Sequence, residues 1–175
     1  LALPAWRGGV FTDDGDWFRV PRDRFVTECP MTAVLPDRRV IARQRILLHP
    51  LHMASELAIV VSDGGISETT FAVNGFTANV IGTLHGGILY AMVDVAAFMA
   101  LLSVIPDGLH GVTADIQVSV LRAANEGDIV HVRGRVDRVG RTLANMRAEA
   151  FVMAEGKERL IATGTVVKSL IPAPY

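Results

Sequence analysis

The sequence predicts an α+β fold in which one antiparallel sheet of about six strands packs on one long helix. The first observation behind this prediction is the alternation of apolar and polar residues in 129–139 and 144–152, which is typical of half-buried strands. The second is an apolar segment, 88–105, that separates two predicted strands from four later ones. This order of elements favours a single antiparallel sheet with one helix on it.

The remaining strands are predicted from short apolar runs that are bounded by turn residues. LAIVVS and ISETTFAV flank the Asp63-Gly64-Gly65 turn, and a short glycine turn of this kind closes an antiparallel hairpin. The runs 111–121 and 159–170 complete the set of strands.

The segment 88–105 is predicted to be a buried helix and not a membrane span. It approaches the ~20 residues that cross a bilayer, but it carries Asp94 in its middle. Its apolar residues lie nearly all round the helix, so the helix has to be enclosed. A sheet that curls around one central helix, the hotdog arrangement, would enclose it, and no second layer of helices is predicted. We therefore expect no membrane partner.

Composition and charge are those of an ordinary globular protein. The 175 residues correspond to about one domain, and the net charge of -1 gives no reason to expect a nucleic acid partner. Cys29 is the single cysteine and cannot form an intrachain disulfide. No secretory signal is recognised at the start of the sequence, so a cytoplasmic location is expected.

Residues 1–35 are predicted to be an N-terminal extension, and 36–175 the domain itself. The extension is rich in aromatic residues, and we interpret it as a segment that docks these side chains on its own domain or on a neighbour. A substrate-gating arm is the alternative. The aromatic residues are Trp6, Phe11, Trp17, Phe18 and Phe25.

Residues 38–53 are basic and amphipathic at helical spacing, which predicts a helix followed by a turn at Pro50. His49 and His52 lie three residues apart around that proline and suggest a metal pair. No further ligand lies near them in the sequence, so no metal site is expected.

The segment NVIGTLHGGILYAMVDVAAFMALL, residues 79–102, resembles the hotdog acyl-CoA thioesterases. Asn-x-x-Gly-x-x-His-Gly-Gly, with an aspartate nine residues after the histidine, is similar to the phenylacetyl-CoA thioesterase (PaaI-like) branch and the thioesterase superfamily member two type. The similarity extends from about Asn79 to Lys168, through GVTADIQVSVLRAANEGDIV, VGRTLA and LIATGTVVK. It implies hydrolysis of an acyl-CoA thioester.

Two features of this segment suit that chemistry. Gly86 and Gly87 stand at the predicted helix start, where backbone N–H groups lack partners and the helix dipole is positive, as an oxyanion site requires. Asp94 is a carboxylate within an apolar helix, which is costly without a use. By resemblance it is the general base or the nucleophile. The alternatives are close helix packing for the glycines and a structural role for the aspartate.

Separation along the helix predicts a homo-oligomer. Gly86 and Asp94 lie eight residues apart, or ~12 Å along the axis, so they cannot contact one carbonyl together. If both act on the same thioester, they come from two chains of an isologous dimer. The family is built in this way, and pairing of dimers into a tetramer is expected.

Three further residues are assigned to the catalytic site. Asn79 and His85 are expected to fix the loop before the helix, with His85 bonded to backbone instead of abstracting protons. By resemblance, Thr113 positions the attacking water. Strict alternation places Thr113 on the same face as Asp115 and Gln117, so it faces the helix only if the strand bulges or twists.

The resemblance places coenzyme A against 120–125 and 138–143, and arginine suits its phosphates. A solvated turn with ordinary surface charges is the alternative. No cofactor is expected apart from the coenzyme A of the substrate. The assigned residues are Arg122, Ala123, Asn125, Arg138, Val139, Gly140, Arg141 and Thr142.

Two rival functions remain, a hotdog enoyl-CoA hydratase and a non-catalytic acyl-CoA-binding protein. The sequence lacks the usual hydratase acid-base pairing, and a binding protein would leave Asp94 without a purpose. A serine hydrolase is excluded because no Gly-x-Ser-x-Gly elbow is present.

Overall fold

The computed structural model describes residues 9–11, 17–19 and 37–173. Two short strands precede the main domain, which contains three helices and six further strands. In chain order the elements are β1 (Gly9–Phe11), β2 (Trp17–Arg19), α1 (Arg38–Leu47), α2 (Pro50–Ala54), β3 (Ala58–Asp63), β4 (Ile66–Ala72), α3 (Gly86–Leu102), β5 (Leu109–Val120), β6 (Ile129–Val139), β7 (Leu143–Ala154) and β8 (Lys157–Pro172).

The six strands of the main domain form one antiparallel sheet in the order β3-β4-β6-β7-β8-β5. Helix α3 contacts every strand of this sheet, which a flat sheet would not permit. The pairing shifts register within four of the strand pairs, and such bulges increase the local twist. The predicted curled sheet around one central helix is confirmed.

Helix α3 is enclosed because small residues of the sheet let it come close. A Cβ atom on Gly134 would lie 2.6 Å from the carbonyl oxygen of Ala96, and one on Gly164 would lie 2.8 Å from Val93. Ser67 donates a hydrogen bond of 2.6 Å from its hydroxyl to that same Ala96 carbonyl. Backbone approach and side-chain anchoring together hold the helix in one orientation.

Helices α1 and α2 line a cleft beside α3, and the Arg39 guanidinium of α1 donates to the Ile105 carbonyl, just after α3, at 3.4 Å. Asp37 caps α1, since its carboxylate accepts from the Arg39 N–H at 2.9 Å. The helix predicted in 38–53 ends at Leu47, and the predicted turn follows at 48–49, before Pro50 begins a second, short helix that the sequence did not predict. Proline suits that position, since its missing N–H would have no intrahelical partner there.

The predicted extension, residues 1–35, is described only at β1 and β2, which pair antiparallel with Phe11 opposite Trp17. The rest of the extension, with Trp6 and Phe25, lies outside the described residues, and the boundary at residue 35 stays a prediction. No helix within the described ranges combines the length and the apolar character needed to cross a bilayer.

Candidate active site

Asp94 projects from the middle of α3 into a cleft, and its side chain is 31% exposed. Its Oδ1 atom accepts two hydrogen bonds, from the Thr113 hydroxyl at 2.8 Å and from the Lys168 ammonium at 2.8 Å. The ammonium also donates to the Thr113 oxygen at 2.7 Å. These three side chains form a closed triangle, which we name the Asp94 cluster.

Thr113 reaches Asp94 because β5 bulges. Thr113 pairs with Lys168 and Asp115 pairs with Val167, so Ala114 is an extra residue that no residue of β8 opposes. The extra residue breaks strict alternation, and Thr113 turns toward α3 although Asp115 does not follow it. The sequence predicted that Thr113 would face the helix only if the strand bulged or twisted, and β5 contains such a bulge.

Lys168 is the member of the cluster that sequence reasoning missed. Its side chain is 3% exposed, which is unusual for a lysine. A signal was present in the alternation of β8, where Gly164, Val166 and Lys168 share the inward face. A buried cation on the inward face of a strand is costly unless an anion pairs with it, and Asp94 is the acidic residue of the enclosed helix.

Burial lowers the pKa of Lys168 below its ordinary range, and the charge and hydrogen bond of Asp94 oppose that shift. Burial likewise lowers the pKa of His110, and the nearby Lys168 charge lowers it further. Both shifts have one origin, the removal of water from a site that already holds an ammonium group. The local electrostatics therefore favour a negative charge on a group placed beside Lys168.

The cleft beside the Asp94 cluster has a volume of about 540 Å³ and lies between α3, β5 and the two helices α1 and α2. Its lining is mostly apolar, with polar groups at the Asp94 cluster, at Arg45 of α1, at His110 of β5 and at the start and end of α2. Such a pocket suits an organic acyl group held near one reactive carboxylate. The lining includes Ala42, Ile46, His49, His52, Ala91, Val95, Phe98, His110 and Val112.

Gly86 lies eight residues before Asp94 on α3 and does not line this cleft. It is the first residue of α3, and its N–H donates to no acceptor in the part of the chain that the structure describes. A Cβ atom on Gly86 would meet nothing within 4 Å, so the approach to this N–H is open. An unpaired N–H at the positive end of a 17-residue helix can stabilise an oxyanion.

His85 and Asn79 organise the backbone before α3. The Nδ1 atom of His85 accepts from the Gly87 N–H at 3.0 Å, so this histidine caps the helix. The side chain of Asn79 accepts from the N–H groups of Ile81 and Thr83 and donates to the Thr83 hydroxyl at 2.8 Å. Both side chains bond the loop, as expected, while their contribution to catalysis stays a prediction.

The two segments predicted to bind coenzyme A lie far apart within one chain. The Leu121 N–H bonds the Ile161 carbonyl, whereas the Leu170 N–H bonds the Thr142 carbonyl. Ile161 and Leu170 are separated by ~30 Å along β8 at the usual rise of a strand. One chain therefore does not bring 122–125 and 138–142 together.

Two residues of these segments donate hydrogen bonds to backbone carbonyls. The Arg122 guanidinium donates to the Leu160 carbonyl at 2.9 Å, and the Gly140 N–H bonds the Leu143 carbonyl at 2.8 Å. Arg138 and Arg141 are exposed, and neither side chain has a hydrogen bond or ion pair with any residue from 37 to 173. The remaining predicted residues, Ala123, Val139 and Asn125, form the adjoining backbone.

Among the described residues, His49 and His52 have no third ligand for a metal. Their rings lie 4.9 Å apart, and the Nδ1 of His52 bonds the Ile46 carbonyl at 2.7 Å. In the described ranges, no group of three or more His, Cys, Asp or Glu side chains is arranged to hold a metal ion.

Comparison with known proteins identifies related sequences. The family model of the thioesterase superfamily matches residues 81–168. Human acyl-coenzyme A thioesterase 13 is 37% identical over 92 residues, which are 53% of this chain and 64% of that protein. The matched region thus spans just under two thirds of the length of that relative.

Solved structures share the fold. Zebra fish thioesterase superfamily member 2 has a TM-score of 0.65 and 28% identity, over 73% of this chain and 92% of that chain. The E. coli PaaI protein from the phenylacetic acid degradation operon has a TM-score of 0.67 and 21% identity, over 75% and 91% of the two chains. The resemblance noted in residues 79–168 is confirmed.

Proposed function

Because this chain belongs to the thioesterase superfamily, we propose that it is an acyl-CoA thioesterase, which hydrolyses a thioester to the free acid and coenzyme A. The observation that carries the proposal is the Asp94 carboxylate, held by two hydrogen bonds at the wall of a largely apolar cleft. The acyl group occupies the cleft, and its carbonyl carbon lies next to Asp94.

Asp94 drives hydrolysis in one of two ways. As a base it takes a proton from water, the hydroxide adds to the carbonyl carbon, and the C–S bond breaks to release the thiolate, which takes up a proton. As a nucleophile it attacks the same carbon, expels the thiolate and forms an anhydride that water then opens. Both routes consume one water and yield one acid and one thiol.

The oxyanion that forms on the carbonyl is stabilised by the Gly86 N–H. This donor is unpaired among the described residues and stands at the positive end of α3. A preorganised backbone donor of this kind contributes about 3–4 kcal/mol to the transition state. His85 and Asn79 support it by holding the preceding loop.

Each active site draws Gly86 from one subunit and Asp94 from its partner. Eight residues of helix separate them by ~12 Å, too far for one carbonyl to reach both. Strand β5 supports a dimer, because within the described residues it pairs with β8 alone and leaves its other edge open. Val80 and Ile81, in the turn before α3, are exposed apolar residues that a second subunit would cover.

The same assembly brings the separated coenzyme A segments together. Arg122 and Asn125 lie toward the end of the sheet next to Gly86, whereas Arg138 and Arg141 lie toward the end next to Thr113. If Gly86 of one subunit meets Asp94 of the other, the two segments approach the same nucleotide from two chains. Arg138 and Arg141, whose side chains have no partner among the described residues, then meet its phosphates.

The test is release of free thiol from a panel of aromatic and medium-chain acyl-CoAs by wild type and by Asp94→Asn. We expect the variant to lose ~10²–10⁴-fold in kcat, because the amide neither abstracts a proton nor attacks a carbonyl. Exposed Asp107→Asn serves as the matched control and keeps wild-type activity. Equal thiol release by Asp94→Asn and wild type would overturn the mechanism, and binding of acyl-CoA without release would favour the non-catalytic alternative.

A further inference from the structure

Lys168 is a charged side chain for which the proposed reaction has no stated use. It lies on the inward face of β8 with only 3% of its side chain exposed, and an ammonium group at such a position is costly unless it is paired. Its hydrogen bonds go to Asp94 and Thr113, the two residues assigned to the chemistry. Packing alone does not explain a buried lysine that bonds these two residues.

The surroundings hold the ammonium group in one place. The Phe98 ring lies on one side, with its centroid 5.5 Å from Nζ. Gly111 makes room for the lysine stem, since a Cβ atom there would lie 3.2 Å from Lys168 Cδ. The cation therefore has little freedom to leave its two partners.

This arrangement determines which oxygen of Asp94 is available. Oδ1 accepts from both Lys168 and Thr113, whereas Oδ2 accepts no hydrogen bond from any described residue. The hydrogen of the Thr113 hydroxyl points to Asp94, because the other contact of this oxygen is to a donor, the ammonium of Lys168. One lone pair of Thr113 and the whole of Oδ2 remain for a water molecule.

We infer that Lys168 is a positioning residue for the proposed hydrolysis, on which this inference rests: it ties Asp94 Oδ1 and Thr113 together so that Asp94 Oδ2 faces the cleft. Water can then donate one hydrogen to Oδ2 and the other to the Thr113 oxygen, with its own lone pair directed at the thioester. Lys168 acts through these two residues and does not touch the substrate.

The first experiment compares Lys168→Met with Lys157→Met, an exposed lysine at the start of the same strand. Lys168→Met should lower kcat on acyl-CoA by ~10²-fold with KM changed by less than about twofold, because orientation is lost and substrate binding is not. Lys157→Met should match wild type. A wild-type kcat in Lys168→Met would overturn the inference, whereas absence of thiol release by wild type would defeat the proposed function instead.

The second experiment asks whether Lys168 acts through Asp94. In the Asp94→Asn background, Lys168→Met should cost less than about threefold further in kcat, because the residue that it positions is already disabled. Multiplication of the two separate losses would show that Lys168 acts independently of Asp94, and the inference would be wrong.

The third measurement needs no Lys168 variant and holds if Lys168→Met fails to fold. Nitrogen-15 NMR of wild type should show a lysine ammonium in slow hydrogen exchange with contacts to the Phe98 ring protons, and Asp94→Asn should speed its exchange and shift its resonance. A fast-exchanging Lys168 ammonium in wild type would overturn the inference.

Discussion

At the scale of single residues, His52 shows how packing sets the charge of a side chain in the cleft. It is 9% exposed and donates from Nδ1 to the Ile46 carbonyl. Burial lowers its pKa below the ordinary 6.5, the charge of His49 lowers it further, and the Ile46 hydrogen bond opposes the shift. His52 is therefore neutral at pH 7, and it lines the cleft as an uncharged, hydrogen-bonded ring.

This pKa shift predicts an acid-sensitive fold. Between the lowered pKa and 6.5, the unfolded chain binds a proton at His52 that the folded chain does not, so stability falls as pH decreases through this window. Urea unfolding at pH 7.5 and 5.5 should show a smaller pH difference for His52→Asn than for wild type. Asparagine retains an N–H for the Ile46 carbonyl, so it is the conservative replacement. Equal pH differences in the two proteins would contradict the prediction.

At the scale of elements, the bulge in β5 decides the composition of the site. Without Ala114 as an extra residue, Thr113 would face the same side as Asp115 and would not reach α3. With it, Thr113 and Lys168 are directly opposed on neighbouring strands and both point at Asp94. A register shift of one residue therefore decides whether Thr113 faces solvent or joins the Asp94 cluster.

The glycine of β6 beneath α3 provides a stability prediction. A methyl group at Gly134 would lie 2.6 Å from the Ala96 carbonyl oxygen and 2.7 Å from the Ser67 hydroxyl, and the helix backbone cannot yield. Gly134→Ala should therefore reduce the free energy of unfolding by about 1–3 kcal/mol. Gly75→Ala is the matched control, because a methyl group there meets nothing within 4 Å. Urea unfolding measures both, and equal stabilities would show that the helix is free to shift.

At the scale of the whole molecule, two pairs of features that act together in the proposed reaction lie far apart within one chain. Gly86 and Asp94 lie more than two turns apart on one helix, and the two segments predicted to bind coenzyme A lie toward opposite ends of β8. A two-fold axis that sets two α3 helices antiparallel would resolve both separations at once. Within the described residues the outer edge of β5 is open, and we propose that such a pair would form through it.

Mixing two inactive variants tests this assembly. Gly86→Ala places a methyl group in open space where the carbonyl approaches, so it should fold and lose activity, as should Asp94→Asn. Random exchange of equal amounts makes about half of the dimers mixed, and each mixed dimer carries one intact site of two, so about one quarter of wild-type activity should return. The two variants are unfolded and refolded together, and mass spectrometry checks the exchange. No recovery after confirmed exchange would contradict a shared site.

Much of this molecule was predictable because its signals are local. Alternation over 129–139 and 144–152 predicted strands that the structure contains, and the all-round apolar character of 88–105 predicted an enclosed helix. The motif around Gly86 and Asp94 predicted the family. The break before Pro50 was predicted, whereas the short helix that Pro50 begins was not, because a proline that interrupts one helix also suits the first position of the next.

The sequence by itself determined the fold class, the family and the presence of an acidic residue, Asp94, on the enclosed helix, since periodicity and motif spacing are properties of neighbouring residues. Only the tertiary structure decided that Thr113 turns inward and that Lys168 joins Asp94 across 74 residues of chain. The physical reason is that both outcomes depend on strand register, which is set by packing of the whole sheet against α3. The contacts of Thr113 and Lys168 with Asp94, which lie closest to the proposed chemistry, are therefore set by tertiary structure and not by local sequence.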